Sequence, residues 1–237
     1  MRTLSSYFLV ASFSMLLACG GAEKAPTADA PDPAATPAKA PEAPATKAPA
    51  AAAPQGPSLA LVSEGSSLGF IARKNDEADV PGSFTNLDGA MTVPGGDLSK
   101  ARGNLSIGWI GGVDTKNPAR DNSIISVFFG ALDATAPEGQ VSLNSLEVES
   151  PNLAVGASTT GNAFVDVGAG LAMYGLAAPV TVTRDAESKY TVVLGEGVTV
   201  SVDKLGMGER KATLMEVCQH KSVGDAIKIA GTFVFGQ

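Results

Sequence analysis

The chain has a single histidine and only two cysteines, Cys19 and Cys218, in 237 residues. A hydrolytic triad needs a histidine base beside a nucleophile, and a zinc site needs several Cys or His ligands. His220 therefore stands alone as a base. As part of a C-x-H pair on a strand it would share a face with Cys218, without further Cys or His to complete a metal shell, so neither a catalytic residue nor a metal ligand is assigned. Basic charge is also scarce: 17 Lys and Arg stand against 24 Asp and Glu, for a net charge of -7. Four basic residues before Ser58 (Arg2, Lys24, Lys39, Lys47) are matched by four acidic ones, so the negative balance falls on the remainder. No basic patch stands out, which argues against nucleic acid as a partner. Long apolar runs are missing too. The one candidate, Tyr7 to Leu17, has eleven residues, too few to span a bilayer.

What that short run does carry is the layout of a secretory signal, with Arg2 ahead of it and small residues behind. Its end, Leu16-Leu17-Ala18-Cys19 followed by Gly20-Gly21, resembles a bacterial lipobox. Residues 1–18 thus read as a lipoprotein signal peptide and Cys19 as the acylated N-terminus, carrying palmitate-type chains. Several acyl chains hold a protein on a membrane durably where one does not. Gly20, rather than an acidic residue, points to the outer membrane.

From Cys19 to residue 57 the chain is mostly Ala and Pro with almost no large apolar side chain. Such a segment cannot bury enough surface to offset ordering and reads as a tether. Residues 58–237 show no second shift in composition and are long enough for one domain with its own core. With Cys19 acylated, Cys218 has no partner for an intramolecular disulfide.

Within 58–237 the clearest period is two. In "AIKIAGTFVFGQ", Ile227, Ile229, Gly231, Phe233 and Phe235 share one face; Leu105, Ile107 and Trp109 do so in "GNLSIGWIG", and Leu87, Met91 and Val93 in "LDGAMTV". "QVSLNSLEVE", "TTGNAFVDVG", "VTVTR" and a run divided by Gly195 and Gly197 add further strands, for eight to ten in all. Gly, Pro, Asn and Asp separate them, as hairpins require. Two stretches break the rhythm. Asn117 and Pro118 suit an N-cap and first helical position ahead of Ile124, Ile125 and Phe128. In "GERKATLMEVCQH", Leu214, Met215 and Cys218 fit one helical face. The acids Asp76, Glu77 and Asp79 fall in a polar connector and read as solvated loop.

The period predicts a mainly β chain with one or two short helices. An antiparallel sheet this long must close into a barrel or stack as a sandwich. Several stretches stand in order over about 67–235: "SSLGFIARKN", "VPGSFTNLDGAMTV" with Gly82, Phe84 and Gly89, then Asp114, Thr115, Arg120, Asp121, Phe128 and Phe129 in "VDTKNPARDNSIISVFFGA", then "AGLAMYGLAAPVTVTR" and "VGDAIKIAGTFVF". Together they resemble the YceI-like polyisoprenoid-binding proteins, a bacterial family of periplasmic lipocalin-like barrels. The chain departs from the family in having Ser123 and Tyr174 in regions where relatives often carry histidines, and in its long segment 206–223.

The resemblance implies an eight-stranded antiparallel lipocalin-like barrel whose apolar lumen holds a polyisoprenoid or similar long lipid, often as a homodimer. It implies no catalysis and no resident cofactor other than a bound isoprenoid or quinone-like molecule. It also suggests Arg120 as a contact for a polar head at the barrel mouth. The large apolar members of the alternating faces become the ligand-binding candidates: Phe70, Met91, Ile107, Trp109, Phe128, Phe129, Ile229, Phe233 and Phe235. Two rival readings stay open, a filled core serving as an envelope interaction module and a metal-dependent enzyme built on Cys218 and His220.

Overall fold

The computed structural model describes residues 56–76, 78–130, 138–169 and 172–237. The signal segment, Cys19, the tether and Glu77 lie outside the described residues. Among the described residues are eleven strands: β1 Ser58–Lys74, β2 Ala78–Phe84, β3 Leu87–Thr92, β4 Arg102–Ile107, β5 Val113–Asp114, β6 Gly139–Val148, β7 Ser158–Gly168, β8 Met173–Ala186, β9 Lys189–Leu194, β10 Thr199–Ser201 and β11 Ala226–Gly236. Two helices join them, α1 Pro118–Ser123, continued by a π-helical turn Ile124–Phe128, and α2 Gly208–Val217.

All pairings are antiparallel, and β11 pairs with β1 to close the ring through β3, β4, β6, β7, β8 and β9. The wall is therefore the expected eight-stranded barrel. The strand count exceeds eight because some walls are interrupted. β2 and β3 together flank β1, and β9 and β10 together flank β11. Closure gives each of the eight ring strands a neighbour on both sides, which limits the open edges that invite pairing with other chains.

The two ends of the barrel differ. At one lie the β3–β4, β6–β7 and β8–β9 connections, and Leu59, Val93, Leu98, Leu153, Val182 and Tyr190 fill the interior. Leu98 and Val182 are 0% exposed, so this end is a solid plug. The plug is braced by Asp97, whose carboxylate accepts from Ser99 N at 3.0 Å, and by Leu98 N donating to Pro151 O at 2.9 Å. The opposite end carries the long connections with both helices. There Asn117 caps α1, its side chain accepting from Arg120 N at 3.1 Å, with Pro118 next in the chain. Cap and proline fall where the sequence places them.

The second helix packs against the π-helical turn, and Arg210 donates to the Phe129 carbonyl. Its base is held by carboxylates. Lys211 Nζ lies 2.8 Å from Asp203, and Asp225 accepts from Asp203 N and Ser201 Oγ, each at 2.7 Å. The Asp203 backbone N–H holds the Asp225 carboxyl below the ordinary carboxylate range; burial opposes it, and the Ser201 hydroxyl and Lys211 reinforce it. A depressed folded-state value means that this attachment is present above the unfolded-state value and lost as pH falls through the folded one. Asp225→Asn is expected to speed amide exchange in α2 at neutral pH while leaving β6 to β8 protected, read by hydrogen exchange; unchanged exchange in α2 would show the latch to be idle.

Candidate functional site

Inside the ring, alternate side chains converge on a cavity of about 310 Å³. β1 contributes Leu68, Phe70 and Ala72; β4 contributes Leu105 and Ile107; β7 and β8 contribute Ala163, Val165, Val167, Leu176, Ala178 and Val180. β11 contributes Ile227, Ile229, Phe233 and Phe235, the face that its period predicts. Leu205, Met207 and Leu214 close the helical end. The polar residues among the described lining, Asn104 and Gln140, are both exposed, so the lumen meets a ligand with hydrocarbon.

All nine residues named from the sequence line this cavity. Phe70, Met91, Ile107, Trp109, Phe129, Phe233 and Phe235 are buried, and Phe128 and Ile229 are half-buried. Five aromatic rings gather toward the helical end. Trp109 stacks on Phe129 at 3.8 Å between centroids and 4° between planes, and Phe128 meets Phe129 edge-on at 5.0 Å. Phe84 touches three members of the group, at 4.9 Å from Phe70, 5.7 Å from Trp109 and 6.4 Å from Phe129. Trp109 can lie against the wall because residue 139 is glycine: a Cβ there would stand 2.4 Å from the indole.

Leu176, Val192, Leu194 and Ile227 face inward yet are only half-buried. Inward apolar surface that no side chain covers is the mark of an unfilled interior, since packed cores leave few voids larger than a water.

Sequence reasoning passed over Phe84 and the wall of β6 to β9. Phe84 was reachable, because Val80, Gly82 and Phe84 alternate. The aliphatic wall was reachable in part, from Ala163, Val165 and Val167 and from Leu176, Ala178 and Val180. In β6 the parity changes: Val141 and Leu143 face inward, a bulge shifts the register between Leu143 and Ser145, and Leu146 then faces inward. A bulge re-aims side chains in just this way.

One expectation is corrected. Arg120 does not stand free at a mouth. Its Nε donates to Thr115 Oγ1 at 2.8 Å and its Nη2 to Thr115 O at 2.9 Å, while Asp121 accepts from Thr115 N at 2.9 Å. The pair pins the α1 turn to the buried Thr115. Cys218 and His220 lie at and just after the end of α2, the helix read from "GERKATLMEVCQH", so the strand condition for a shared face is not met. Cys218 caps the C-terminus of α2, and His220 N donates to Met215 O at 2.8 Å. Burial pushes the His220 imidazole below its ordinary value, Lys74 adding to the effect. No cluster of three or more His, Cys, Asp or Glu suited to a metal occurs among the described residues.

No family model and no curated protein matches the chain. Solved structures do. A polyisoprenoid binding domain from Saccharophagus degradans, implicated in plant cell wall breakdown, superposes with a TM-score of 0.62 at 14% identity, covering 75% of this chain and 97% of that one. BcnA of Burkholderia cenocepacia gives 0.55 at 14% identity, covering 73% and 98%. A mutant YCEI protein of Campylobacter jejuni, with a monobromobimane guest, gives 0.50 at 14%, covering 68% and 86%. At such identity the likeness is one of fold, and the fold is that of the YceI-like polyisoprenoid-binding domains, a closed lipocalin-like barrel.

Proposed function

We propose that the chain binds a polyisoprenoid or similarly long apolar molecule in its lumen and does so without transforming it. The observation that carries this is the unfilled cavity bounded by hydrocarbon, into which all nine sequence-chosen residues project. An isoprenoid tail has no hydrogen-bonding groups, so a dry apolar tube suffices to recognise it. Each square ångström of tail removed from water contributes about 25 cal/mol, and several hundred exceed the cost of ordering a flexible chain. The lumen lining offers no ionisable side chain to act as acid, base or nucleophile among the described residues. A filled-core interaction module would need those inward faces packed together, and the cavity runs against it.

The same proposal places the barrel in the periplasm, held by the acylated Cys19 and the Ala/Pro tether on the outer membrane, as a reservoir or carrier of the lipid. The lipobox resemblance and the composition of residues 19–57 support that placement. Partners are then the lipid, the membrane through Cys19, and a second copy of the chain in a homodimer.

Protein taken from its native envelope should carry a co-extracted apolar lipid. Mass spectrometry of an organic extract is expected to show one such species near stoichiometric amount. An extract without it, together with failure to take up a fluorescent hydrophobic probe, would refute the binding reading.

A further inference from the structure

On its outer face the barrel has a second hollow, of about 670 Å³, and it borders the lumen. It lies where two ladders stop at one level. β1 pairs with β3 up to Ala60↔Ala90 and with β2 from Leu68↔Phe84, leaving residues 61–67 without partners on that side. Across the barrel seam, the ladder of β11 with β9 stops at Thr232↔Val193. Within the gap β1 bulges: Gly65 adopts φ +85, and the Ser66 hydroxyl takes over the ladder, donating to Val62 O at 2.5 Å and accepting from Val234 N at 2.9 Å. Where no backbone ladder seals the wall, side chains must. Leu68, Phe84 and Leu194 line both the outer hollow and the lumen, and Phe84 and Leu194 are the last residues of β2 and β9, so the two spaces adjoin where the ladders end.

The two spaces differ in chemistry. Among the described residues the lumen lining is hydrocarbon except for the exposed Asn104 and Gln140. The hollow is lined by hydroxyls, of which Ser63, Ser67, Ser83 and Thr232 make no hydrogen bond within the described structure, and no charged side chain lines it among the described residues. An anionic head such as a phosphate is bound most strongly by Arg or Lys, and the described lining of the hollow holds neither. The net charge of -7 would repel it further.

We infer that this outer hollow is the seat of the ligand's head group, that the head is uncharged and oxygen-bearing (a hydroxyl, carbonyl or sugar), and that the tail enters the lumen past the ladder ends at Phe84 and Leu194. This rests on the lumen reading above and adds to it the class of head group and the place where it binds. The long axis of the ligand thus crosses the wall at the interrupted ladder instead of running out through the helical end.

The test compares three probes of one chain length on the whole protein: the C20 isoprenoid alcohol geranylgeraniol, its hydrocarbon counterpart, and its diphosphate. Ser67→Ala, Ser83→Ala and Thr232→Val, combined in one variant, remove hydroxyls from outward positions and preserve side-chain shape. The variant should bind the alcohol about tenfold more weakly and the hydrocarbon within about twofold of the unaltered protein. The diphosphate should bind the unaltered protein no better than the alcohol does. Equal losses for alcohol and hydrocarbon, or no loss for either, would overturn the head-group site. Tighter binding of the diphosphate would overturn the uncharged head. If the unaltered protein binds neither alcohol nor hydrocarbon, the lumen reading itself fails and this inference falls with it.

Discussion

Trp109→Ala is expected to cost about 3–5 kcal/mol of folding stability, the range for removing a large buried aromatic side chain. The indole is 6% exposed and lies flat on Phe129 at 3.8 Å, with Phe84 5.7 Å away and the backbone of Gly139 beneath it. Truncation removes the area term and also the stacking gain, which is worth about 0.5–1.5 kcal/mol beyond burial. It leaves Phe129 with an open face at the point where the α1 segment joins the wall. For a domain of this size a loss in that range lowers the melting temperature by about 10 °C or more. The loss has a local signature as well. Phe129 sits at the C-terminal end of the π-helical turn, and its carbonyl is the acceptor for Arg210 of α2. Amide exchange should therefore rise first in α1 and α2, while β6 to β8 keep their protection. Phe128→Ala makes the comparison, since Phe128 is only half-buried and its removal should cost less. A Trp109→Ala protein melting within a degree or two of the parent would show that the stack does not hold the helical end.

The sequence made some parts of this architecture legible because local chemistry and global packing agree there. In β11, a two-residue period with Phe and Ile on one face names the inward set, and Ile227, Ile229, Phe233 and Phe235 do face the lumen. Asn117 and Pro118 name the start of α1 for reasons internal to the helix, the unsatisfied first amides and the fixed φ of proline. Other parts were hidden by events that strand periodicity does not encode. The β6 bulge reverses the parity between Leu143 and Leu146, so either half alone gives the wrong set for the other. Val234 lies on the outer face by count and is nonetheless 7% exposed, because the bulged segment of β1 folds across it, with the Gly65 position 3.3 Å from its side chain as a Cβ would see it. The fate of Arg120 depended on a turn that brings Thr115 under the guanidinium, a contact set by tertiary structure. The lumen residues were found by choosing bulky side chains, and that choice was blind to the alanines which make the space.

Those alanines carry the second large effect. Ala163 and Ala178 are directly opposed across β7 and β8, line the lumen, and are 7% and 3% exposed. Ala178→Phe pushes a ring into the channel. In a packed core such a replacement costs about 1–3 kcal/mol through strain. Here the ring enters unfilled space and gains about 1.5–3 kcal/mol by burial, so the two effects nearly cancel and the melting temperature should hold or rise. Binding should fall sharply. Denying the ligand about 110 Å² of apolar contact removes close to 3 kcal/mol at about 25 cal/mol per Å², which is about a hundredfold in affinity. A protein with unchanged stability and lost lipid is what an occupied channel predicts. A protein with lost stability and retained lipid is what a solid core with binding elsewhere predicts, and the two outcomes are opposite in both readouts. The expected result also explains why small residues stand at a place where larger ones would stabilise the fold. Function at this position is served by space, and a domain can keep such a void when the remaining core suffices to hold it above its stability threshold. The plug of Leu98, Leu153, Val182 and Tyr190 is that remaining core: it fixes one end of the ring, and the lumen beyond it stays unfilled.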